Sequence, residues 1–368
     1  MVTTDRRRPE IVVGLVATPP DYPAKVVARL AAELADRLAE RVDAEVLWTV
    51  RQGWGDVAPH RDGGIEALLD DLGRRRADAR WDVAICLTDL PLLSEGVPLV
   101  AHVSARRRVA VVSLPALGLR QLRALRAAVP DLVSRLLTDT SDARVSPAGW
   151  APDELTSRVA AIGRVVSEDA GELRYLASPV IGPMRLVAGM VRANRPGRAL
   201  LGLSKLLVGA LGTAAFALTT NNVWKMGAAL GGLRLTVIML VALTALVTWL
   251  IVAHDLWEQP DEQTPAELAR LFNLGTILTL TLASTVSYLA LFIGTVLAAG
   301  LLIDTSVLQQ TLQRPVGLTD YLTLAWIGSS LATVGGAIGS GLEDEDRVRA
   351  AAYGYHPEPG GRRDKKDA

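Results

Sequence analysis

The sequence predicts a mixed α/β domain followed by an all-α bundle of four transmembrane helices. The first observation is an alternation of strand-like apolar runs with amphipathic helical patterns over residues 1–140. The second is an uneven distribution of charge. Residues 1–198 hold 28 Lys and Arg and 25 Asp and Glu, whereas the rest of the chain holds 11 and 14. The net charge of zero therefore conceals a water-facing part and a charge-poor part.

A buried strand at 11–17 opens the α/β domain and ends in a proline turn. An amphipathic helix follows, because Val26, Leu30 and Leu34 recur at helical spacing. The later elements alternate between strand and helix, at about 44–50, 65–76, 82–88, 99–103, 109–114 and 119–137. This order predicts helices packed on a mixed sheet.

The last two strands are predicted to pair as a hairpin through Arg106, Arg107 and Arg108. We interpret this triplet as a solvated hairpin tip. Contact with an acidic partner or with anionic headgroups is the alternative.

The loops of this domain exclude the common nucleotide-binding sites. The turn Thr18–Asp21 contains neither GxGxxG nor GxxxxGK[ST], and the glycines between Gly53 and Gly64 lack phosphate-loop spacing. Residues 1–198 carry only three net positive charges and no interleaving of basic and aromatic residues. We therefore predict no cofactor and no nucleic-acid partner.

Cys86 is the only cysteine and lies within an apolar run. A single buried thiol cannot form an intramolecular disulfide, and it excludes Cys-rich zinc sites and CxxC redox chemistry. It also indicates that this domain faces a reducing compartment, the cytoplasm.

Thr88 and Asp89 are the candidate functional residues of the α/β domain. They end a buried strand, which is where α/β folds place ligand-binding groups. The alternative is that Asp89 only caps the following turn. No GxSxG elbow surrounds Ser94 or Ser113, and no Ser-His-Asp set follows from the spacing.

The runs DVAICLTDLPLL (Asp82–Leu93) and VAVVSLPAL (Val109–Leu117), followed by a helix, resemble the core of the archaemetzincin-like metalloproteases. The resemblance implies a metzincin-like fold with a zinc-binding HExxH helix. Here that helix reads AAVPDLVSRLL, with Pro130 and Ser134 where the two histidines would stand. Two imidazoles at i and i+4 are what hold the metal, so we predict no metal and no catalytic residue. Whether the chain is an enzyme stays open, and we favour a non-enzyme.

The segment 141–198 is predicted to be a helical connector. A helix-like pattern covers 153–169, and 183–198 mixes apolar residues with arginines. The second pattern is typical of a helix at the headgroup level of an anionic leaflet; a basic flank that only orients the next span is the alternative. The lipid-binding residues would be Arg185, Arg192, Arg195 and Arg198.

Four apolar stretches are each long enough to cross a bilayer, which takes about 20 helical residues. They lie at about 199–219, 233–253, 274–303 and 321–342. Arginines precede the first span and basic residues follow the last, whereas the outer loops hold only Lys225, Arg234 and Arg314. We therefore predict a multi-pass plasma-membrane protein with both termini cytoplasmic and a charged tail at 343–368.

The third span carries a polar stripe of Asn273, Thr281, Thr285 and Tyr288. Helix packing is the favoured explanation of this stripe, and a solute path is the alternative. The fourth span carries a seam of small residues that lets helices approach closely, within the chain or between the subunits of a homo-oligomer. The seam consists of Gly328, Ala332, Gly335, Gly336 and Gly339. No charged residue lies deep in these two spans, so a pump is not expected.

HDLWEQ at His254–Gln259 and GSGLEDEDRVRAAAYGY at Gly339–Tyr355 resemble an uncharacterised actinobacterial family of integral-membrane proteins. The sequence as a whole favours a non-catalytic binding, sensing or scaffold module that is anchored in the bilayer. One alternative is a membrane-anchored enzyme whose site is assembled from loops near Thr88, Asp89 and the segment Gly53–Gly64. Another is an oligomeric channel or small-solute transporter lined by the polar stripe.

Overall fold

The fold is that of a computed structural model, which describes residues 8–18, 22–54, 64–138, 153–169, 171–194, 204–260 and 266–341. The chain divides into two compact units. The α/β unit comprises Met1–Ala193 and Pro260–Leu271, and the helical unit comprises Asn194–Gln259 and Phe272–Ala368.

The described residues of the α/β unit include eight strands in one sheet. Its elements are β1 (Glu10–Thr18), α1 (Tyr22–Arg41), β2 (Leu47–Trp54), α2 (Gly64–Asp78), β3 (Val83–Thr88), β4 (Leu93–Ser94), β5 (Val97–Ser104), β6 (Val109–Ser113), a 3-10 turn (Pro115–Arg120), α3 (Gln121–Thr138), α4 (Asp153–Arg158), β7 (Arg164–Asp169), β8 (Glu172–Leu176) and α5 (Gly182–Asn194).

The strand order is β2-β1-β3-β6-β5-β8-β7, with β4 paired to β5 outside this path. Strands β2, β1, β3 and β6 are parallel, whereas β5, β8 and β7 continue the sheet in antiparallel pairs. Because β2 and β3 flank β1 on opposite sides, right-handed crossovers place α1 and α2 on opposite faces of the sheet. The mixed α/β sheet that the sequence predicts is therefore present.

The α2 face of the sheet is filled by Leu68, Leu69 and Leu72, which pack with Cys86 and Val111. At the β1–β2 edge the same face is covered by Trp81, and a Cβ on Gly14 would overlap its indole ring. This glycine is therefore required by close packing rather than by backbone conformation.

The predicted hairpin between the last two strands is confirmed, since β5 and β6 pair antiparallel from Ser104↔Val109 to Ala101↔Val112. The predicted helix over 153–169 is wrong beyond its first turns. Only Asp153–Arg158 is helical, and β7 and β8 follow it. Gly171, at φ 97°, turns β7 into β8, and β8 satisfies the backbone of β5, which would otherwise be a buried edge. The segment 164–176 is thus part of the sheet and not a helical connector.

The helical unit contains six helices among its described residues: α6 (Ser204–Thr219), α7 (Asn221–Ala229), α8 (Gly232–Ala253), α9 (Ala266–Leu302, whose first turns belong to the α/β unit), α10 (Thr305–Leu312) and α11 (Leu318–Ser340). By length and composition α8, α9 and α11 could each cross a membrane. Helices α6 and α7, bent by 84°, pass the same test only as a pair. Three to four candidate spans therefore stand where the sequence predicts four.

Two of the candidate spans differ in extent from the prediction. The first predicted span begins at 199, but 199–203 lie outside the described residues, and the helix from Ser204 turns sharply after Thr219. The third span begins in the structure at Ala266 rather than at 274, because the helical pattern continues through Glu267 and Arg270.

The small-residue seam of α11 packs against α6 within the chain. A Cβ on Gly209 would lie 2.5 Å from the carbonyl oxygen of Gly335, and a Cβ on Gly339 would overlap the carbonyl of Lys205. Gly336 faces Ala210, and Gly328 faces Ala217. Of the two alternatives drawn from the sequence, the seam therefore serves tight intramolecular packing.

Candidate functional site

Three hydroxyl side chains form a row across the carboxyl ends of the parallel strands. Thr18 ends β1, Thr88 ends β3 and Ser113 ends β6, and the register places Thr18 beside Thr88 and Thr88 beside Ser113. All three are buried, at 4%, 0% and 0% exposure. We call them the hydroxyl row.

Two members of the hydroxyl row hold the turn that follows β3. The Thr88 Oγ1 accepts a hydrogen bond of 3.1 Å from the Leu90 amide, and the Ser113 hydroxyl donates to the Leu90 carbonyl at 2.9 Å. The Leu114 amide also donates to the Thr88 carbonyl at 2.8 Å. The turn at Leu90 is therefore fixed from both sides.

The hydroxyl row lies at the switch point of the sheet. The chain leaves β1 toward β2 on one side and leaves β3 toward the opposite side, and ligands in open α/β sheets bind outside the carboxyl ends of such a strand pair. Tyr22 and Gln121 begin the helices that follow β1 and the 3-10 turn. The Tyr22 hydroxyl lies 2.6 Å from the Gln121 Oε1, and the Gln121 amide donates to the Gly189 carbonyl at 3.3 Å.

Asp89 directly follows the buried end of β3 and is half-buried. The structure therefore places both sequence-predicted residues of this domain, Thr88 and Asp89, at the switch point. Thr18 and Ser113 join them, and the sequence did not single out either in this role. Strand register would have found them, because each is the last residue of its strand.

A second polar cluster lies on the α2 face of the sheet and centres on Glu172 at the start of β8. Its Oε1 accepts from the Ser104 hydroxyl at 2.6 Å and from the Arg107 Nη1 at 2.9 Å, and its Oε2 lies 3.1 Å from the His102 Nε2. Arg107 also pairs with Glu66 at 3.0 Å and with Asp70 at 2.7 Å. We call this set the Glu172 cluster.

The Glu172 cluster corrects our interpretation of the Arg triplet as a solvated tip for Arg107, whereas Arg106 is exposed as expected. Arg107 is only 18% exposed and binds carboxylates of α2 and β8. The acidic partner considered for the triplet is therefore the chain itself. Burial lowers the pKa of His102 while the Glu172 carboxylate opposes that shift, and the His102 Nδ1 has no hydrogen-bond partner among the described residues.

The Glu172 cluster lacks the geometry of a hydrolytic triad. In a triad the imidazole lies between hydroxyl and carboxylate, so that it can take the hydroxyl proton. Here the Glu172 carboxylate lies between Ser104 and His102, and Arg107 neutralises it. Ser104 therefore lacks the imidazole base of a triad, and the cluster joins β5, β8 and α2.

Helix α3 carries the segment aligned with the HExxH motif. Asp131 and Ser134 are buried within it, and the Arg158 Nη1 lies 3.5 Å from the Asp131 Oδ1. Within the described part of the chain no three His, Cys, Asp or Glu side chains come close enough to hold a metal ion. Cys86 is fully buried, and burial raises the pKa of its thiol to about 12.

The polar stripe of the third span does not stay together in the structure. Asn273 is buried and binds the backbone of Glu258 twice, accepting from its amide at 2.8 Å and donating to its carbonyl at 2.9 Å. The Tyr288 hydroxyl lies 3.1 Å from the Ser330 hydroxyl on α11. Thr281 is exposed, and the Thr285 hydroxyl donates to the Thr281 carbonyl at 2.8 Å.

Thr281 and Thr285 line a groove of about 800 Å³ between α8 and α9. Two threonines of α8, Thr244 and Thr248, face them across it, and Trp257 lies at one end. The stripe thus divides into two packing residues, Asn273 and Tyr288, and two groove residues.

The arginine-rich helix α5 has its apolar side inside the α/β unit. Leu186, Val187 and Met190 are buried, and a Cβ on Gly189 would overlap the backbone of Pro115. Arg192 is exposed and Arg185 donates to the Ala160 carbonyl, whereas Arg195 and Arg198 lie outside the described residues. Most of the apolar side chains predicted to lie in the leaflet are therefore used for packing, whereas Met184 is exposed.

Comparison of the chain with protein-family models, with curated proteins and with solved structures gave no match. A functional assignment must therefore come from the geometry of the two units.

Proposed function

We propose that this chain is a multi-pass plasma-membrane protein whose α/β unit is a non-catalytic binding module facing the cytoplasm. The switch point of the sheet carries the proposal, because ligands in open α/β sheets bind outside the carboxyl ends of such a strand pair. Thr18, Thr88 and Ser113 end neighbouring strands at the switch point, with Asp89 beside them. Asp89 is half-buried at this point, and a carboxylate binds polar ligands by accepting hydrogen bonds.

The two family resemblances point in the same direction. A metzincin-like fold in which Pro130 and Ser134 replace the zinc ligands would keep a binding cleft without its chemistry. The likeness of 254–259 and 339–355 to an integral-membrane family supports the bilayer anchor. Scaffolding or sensing is then the role of a binding module joined to membrane helices.

The binding role is tested on the full chain purified from its native membrane. Native mass spectrometry should find a small polar ligand or a protein partner that the wild-type chain retains. Asp89→Asn should lose it, whereas Asp43→Asn, in the turn that precedes β2 at the amino ends of the parallel strands, should keep it. Equal retention by both variants, or none by the wild type, contradicts the proposal.

The enzyme alternative makes a different prediction for the same preparation. A zinc peptidase would contain stoichiometric zinc and would cleave peptides in a chelator-sensitive manner. We expect neither, because Pro130 and Ser134 supply no imidazole. Stoichiometric zinc with peptidase activity would replace the binding module by an enzyme.

The groove between α8 and α9 favours a transporter or channel as the second candidate. Thr281 and Thr285 face Thr244 and Thr248 in a mainly apolar groove, and these hydroxyls could bind a small solute. Flux through liposomes that disappears in Thr281→Leu and Thr285→Leu would support this function. Flux that is absent, or unchanged in both variants, would exclude these residues from a path.

A further inference from the structure

Four large apolar side chains are exposed where the 3-10 turn meets the start of α5. Leu119 is 60% exposed, Val180 79%, Ile181 58% and Met184 75%. We call them the apolar patch. Gly118, at φ 76°, brings the two segments together, because a Cβ there would lie 2.6 Å from the Arg185 Cγ. Adjacent exposed side chains of this size are characteristic of an interaction surface.

Helix α5 cannot expose its other face in place of the patch. Its buried side packs on the 3-10 turn so closely that Gly189 admits no side chain, and the Gln121 amide binds the Gly189 carbonyl. Rotating the helix to bury Met184 would expose Leu186, Val187 and Met190. The patch is therefore a fixed surface of the unit.

The two segments that carry the patch contain basic residues and no acidic ones. Residues 114–130 and 177–194 contain five arginines and no Asp or Glu. Arg126 pairs with Glu33, whereas Arg120, Arg123 and Arg192 are exposed. On one side this basic rim is interrupted by carboxylates: the exposed Glu95 lies three residues before the Pro98 that packs near Gly182, and the exposed Glu267 lies beside Gly96.

We propose that the apolar patch inserts into the headgroup region of an anionic membrane, with Arg120, Arg123 and Arg192 on the surrounding phosphates. Exposed aliphatic and thioether side chains bordered by arginines match the surface of a leaflet, because the apolar side chains can contact the acyl chains while the arginines contact the anionic headgroups. Helix α5 is also the last described element before the first apolar helix in the sequence. This inference rests on the proposed membrane function and adds a second bilayer contact, made by the α/β unit itself.

A single fluorescent label tests this contact on the full chain. Cys86 is fully buried, so a thiol-reactive NBD dye on folded protein will modify only an introduced cysteine. The test variant is Met184→Cys. The control variant is Leu47→Cys, which is 54% exposed on the far edge strand β2. No label on the parent chain and one label per chain on each variant show that Cys86 stays buried and that each preparation is folded.

The chain is reconstituted in liposomes of phosphatidylcholine with and without phosphatidylglycerol, with a lipid-borne spin-label quencher. For Met184→Cys we expect a blue-shifted emission that the quencher reduces when phosphatidylglycerol is present. Arg120→Gln, Arg123→Gln and Arg192→Gln together should abolish the dependence on phosphatidylglycerol, whereas Arg29→Gln and Arg41→Gln should preserve it.

Three results would overturn the inference. The emission of the dye on the Met184→Cys variant could match that on the Leu47→Cys variant. It could also shift to the blue without quenching by the lipid, because a second copy covers the patch, or the arginine variants could have no effect.

Carbonate extraction of the same liposomes separates the two proposals. If the chain is extracted, the membrane function fails; if it stays embedded while position 184 remains in water, only the patch inference fails.

Discussion

The two units bury their polar side chains in different ways. In the α/β unit the partners are far apart in sequence, as in Glu172 with Arg107 and Tyr22 with Gln121. In the helical unit the hydroxyls mostly donate to a carbonyl four residues earlier in their own helix. Examples are Thr213, Thr236, Thr285, Thr295, Ser330 and Thr333.

This difference follows from the solvent that each unit is suited to. Charged pairs between distant elements are compatible with a unit whose surface remains in water, where unpaired charges can be solvated while the chain folds. A helix in hydrocarbon must satisfy its polar groups internally, and it associates through shape. Accordingly the helical unit uses glycines, such as Gly209 against Gly335, where the α/β unit uses the Glu172 cluster.

The largest expected effect comes from removing the central cation of the α/β unit. Arg107→Ala leaves the Glu172, Glu66 and Asp70 carboxylates together without a cation. We expect a loss of about 3 kcal/mol in the unfolding free energy of this unit, at the low end for a buried pair because Arg107 is partly exposed. The urea dependence of Cys86 modification in the full chain measures it.

Arg74→Ala is the matched control, since Arg74 is 70% exposed in its ion pair with Asp71. Its effect should be at most about 0.5 kcal/mol. Equal shifts in the two variants would show that the Glu172 cluster does not hold β5, β8 and α2 together.

The next effect concerns the glycine contact between α6 and α11. Gly339→Ala places a methyl group into the Lys205 carbonyl, so the helices must separate. Overpacking of this kind costs about 1–3 kcal/mol. Heating in mild detergent followed by gel filtration should show an earlier loss of the folded species. Gly294→Ala, with nothing within 4 Å of the new Cβ, should be neutral or slightly stabilising.

A smaller effect is expected at Asn273. Asn273→Leu removes both hydrogen bonds to the Glu258 backbone and should cost about 1–2 kcal/mol locally. The segment 254–259 should then open more often and be cleaved faster after Glu258 by a Glu-specific protease. Thr285→Val, which loses only a bond within its own helix, should leave the cleavage rate unchanged.

The smallest effect is a pH dependence that arises from His102. Its folded-state pKa lies below the unfolded value, so the unfolded chain binds a proton first as the pH falls. The unfolding free energy of the α/β unit should be highest above about pH 6.5, the ordinary pKa of histidine, and should decrease below it. His102→Gln should flatten this decline in the Cys86 assay. If the substitution leaves the decline unchanged, the pH dependence arises from other titratable groups.

Local patterns in the sequence predicted much of the fold. Helix α1 and strands β1, β3 and β6 were predicted from runs of Val, Leu and Ile. The spacing of these residues distinguishes a helix with one buried face from a strand that is buried on both faces. The pair β7–β8 could not be predicted in this way. Its residues mix charged and apolar side chains, and only pairing with β5, some seventy positions earlier in the chain, makes it a strand pair.

The candidate site shows the same division. Thr88 and Asp89 were found because they end an apolar strand, but Thr18 and Ser113 became neighbours only through strand register. His102 and Ser104 could have been noticed as two polar residues at alternate positions of an apolar strand. Their common partner Glu172 could not, because nothing local in the sequence connects β5 to β8.

The central claim is that the α/β unit lies in the cytoplasm and the helical unit spans the bilayer. Its most direct test is to measure on which side of the membrane an exposed residue of each unit lies. Single cysteines are placed by Leu47→Cys in the α/β unit and by Gln310→Cys in α10, between two candidate spans; both positions are exposed. In intact cells a membrane-impermeant maleimide should label the Gln310→Cys variant, and it should label the Leu47→Cys variant only after permeabilisation. Labelling of the Leu47→Cys variant in intact cells would contradict a cytoplasmic α/β unit anchored by spanning helices.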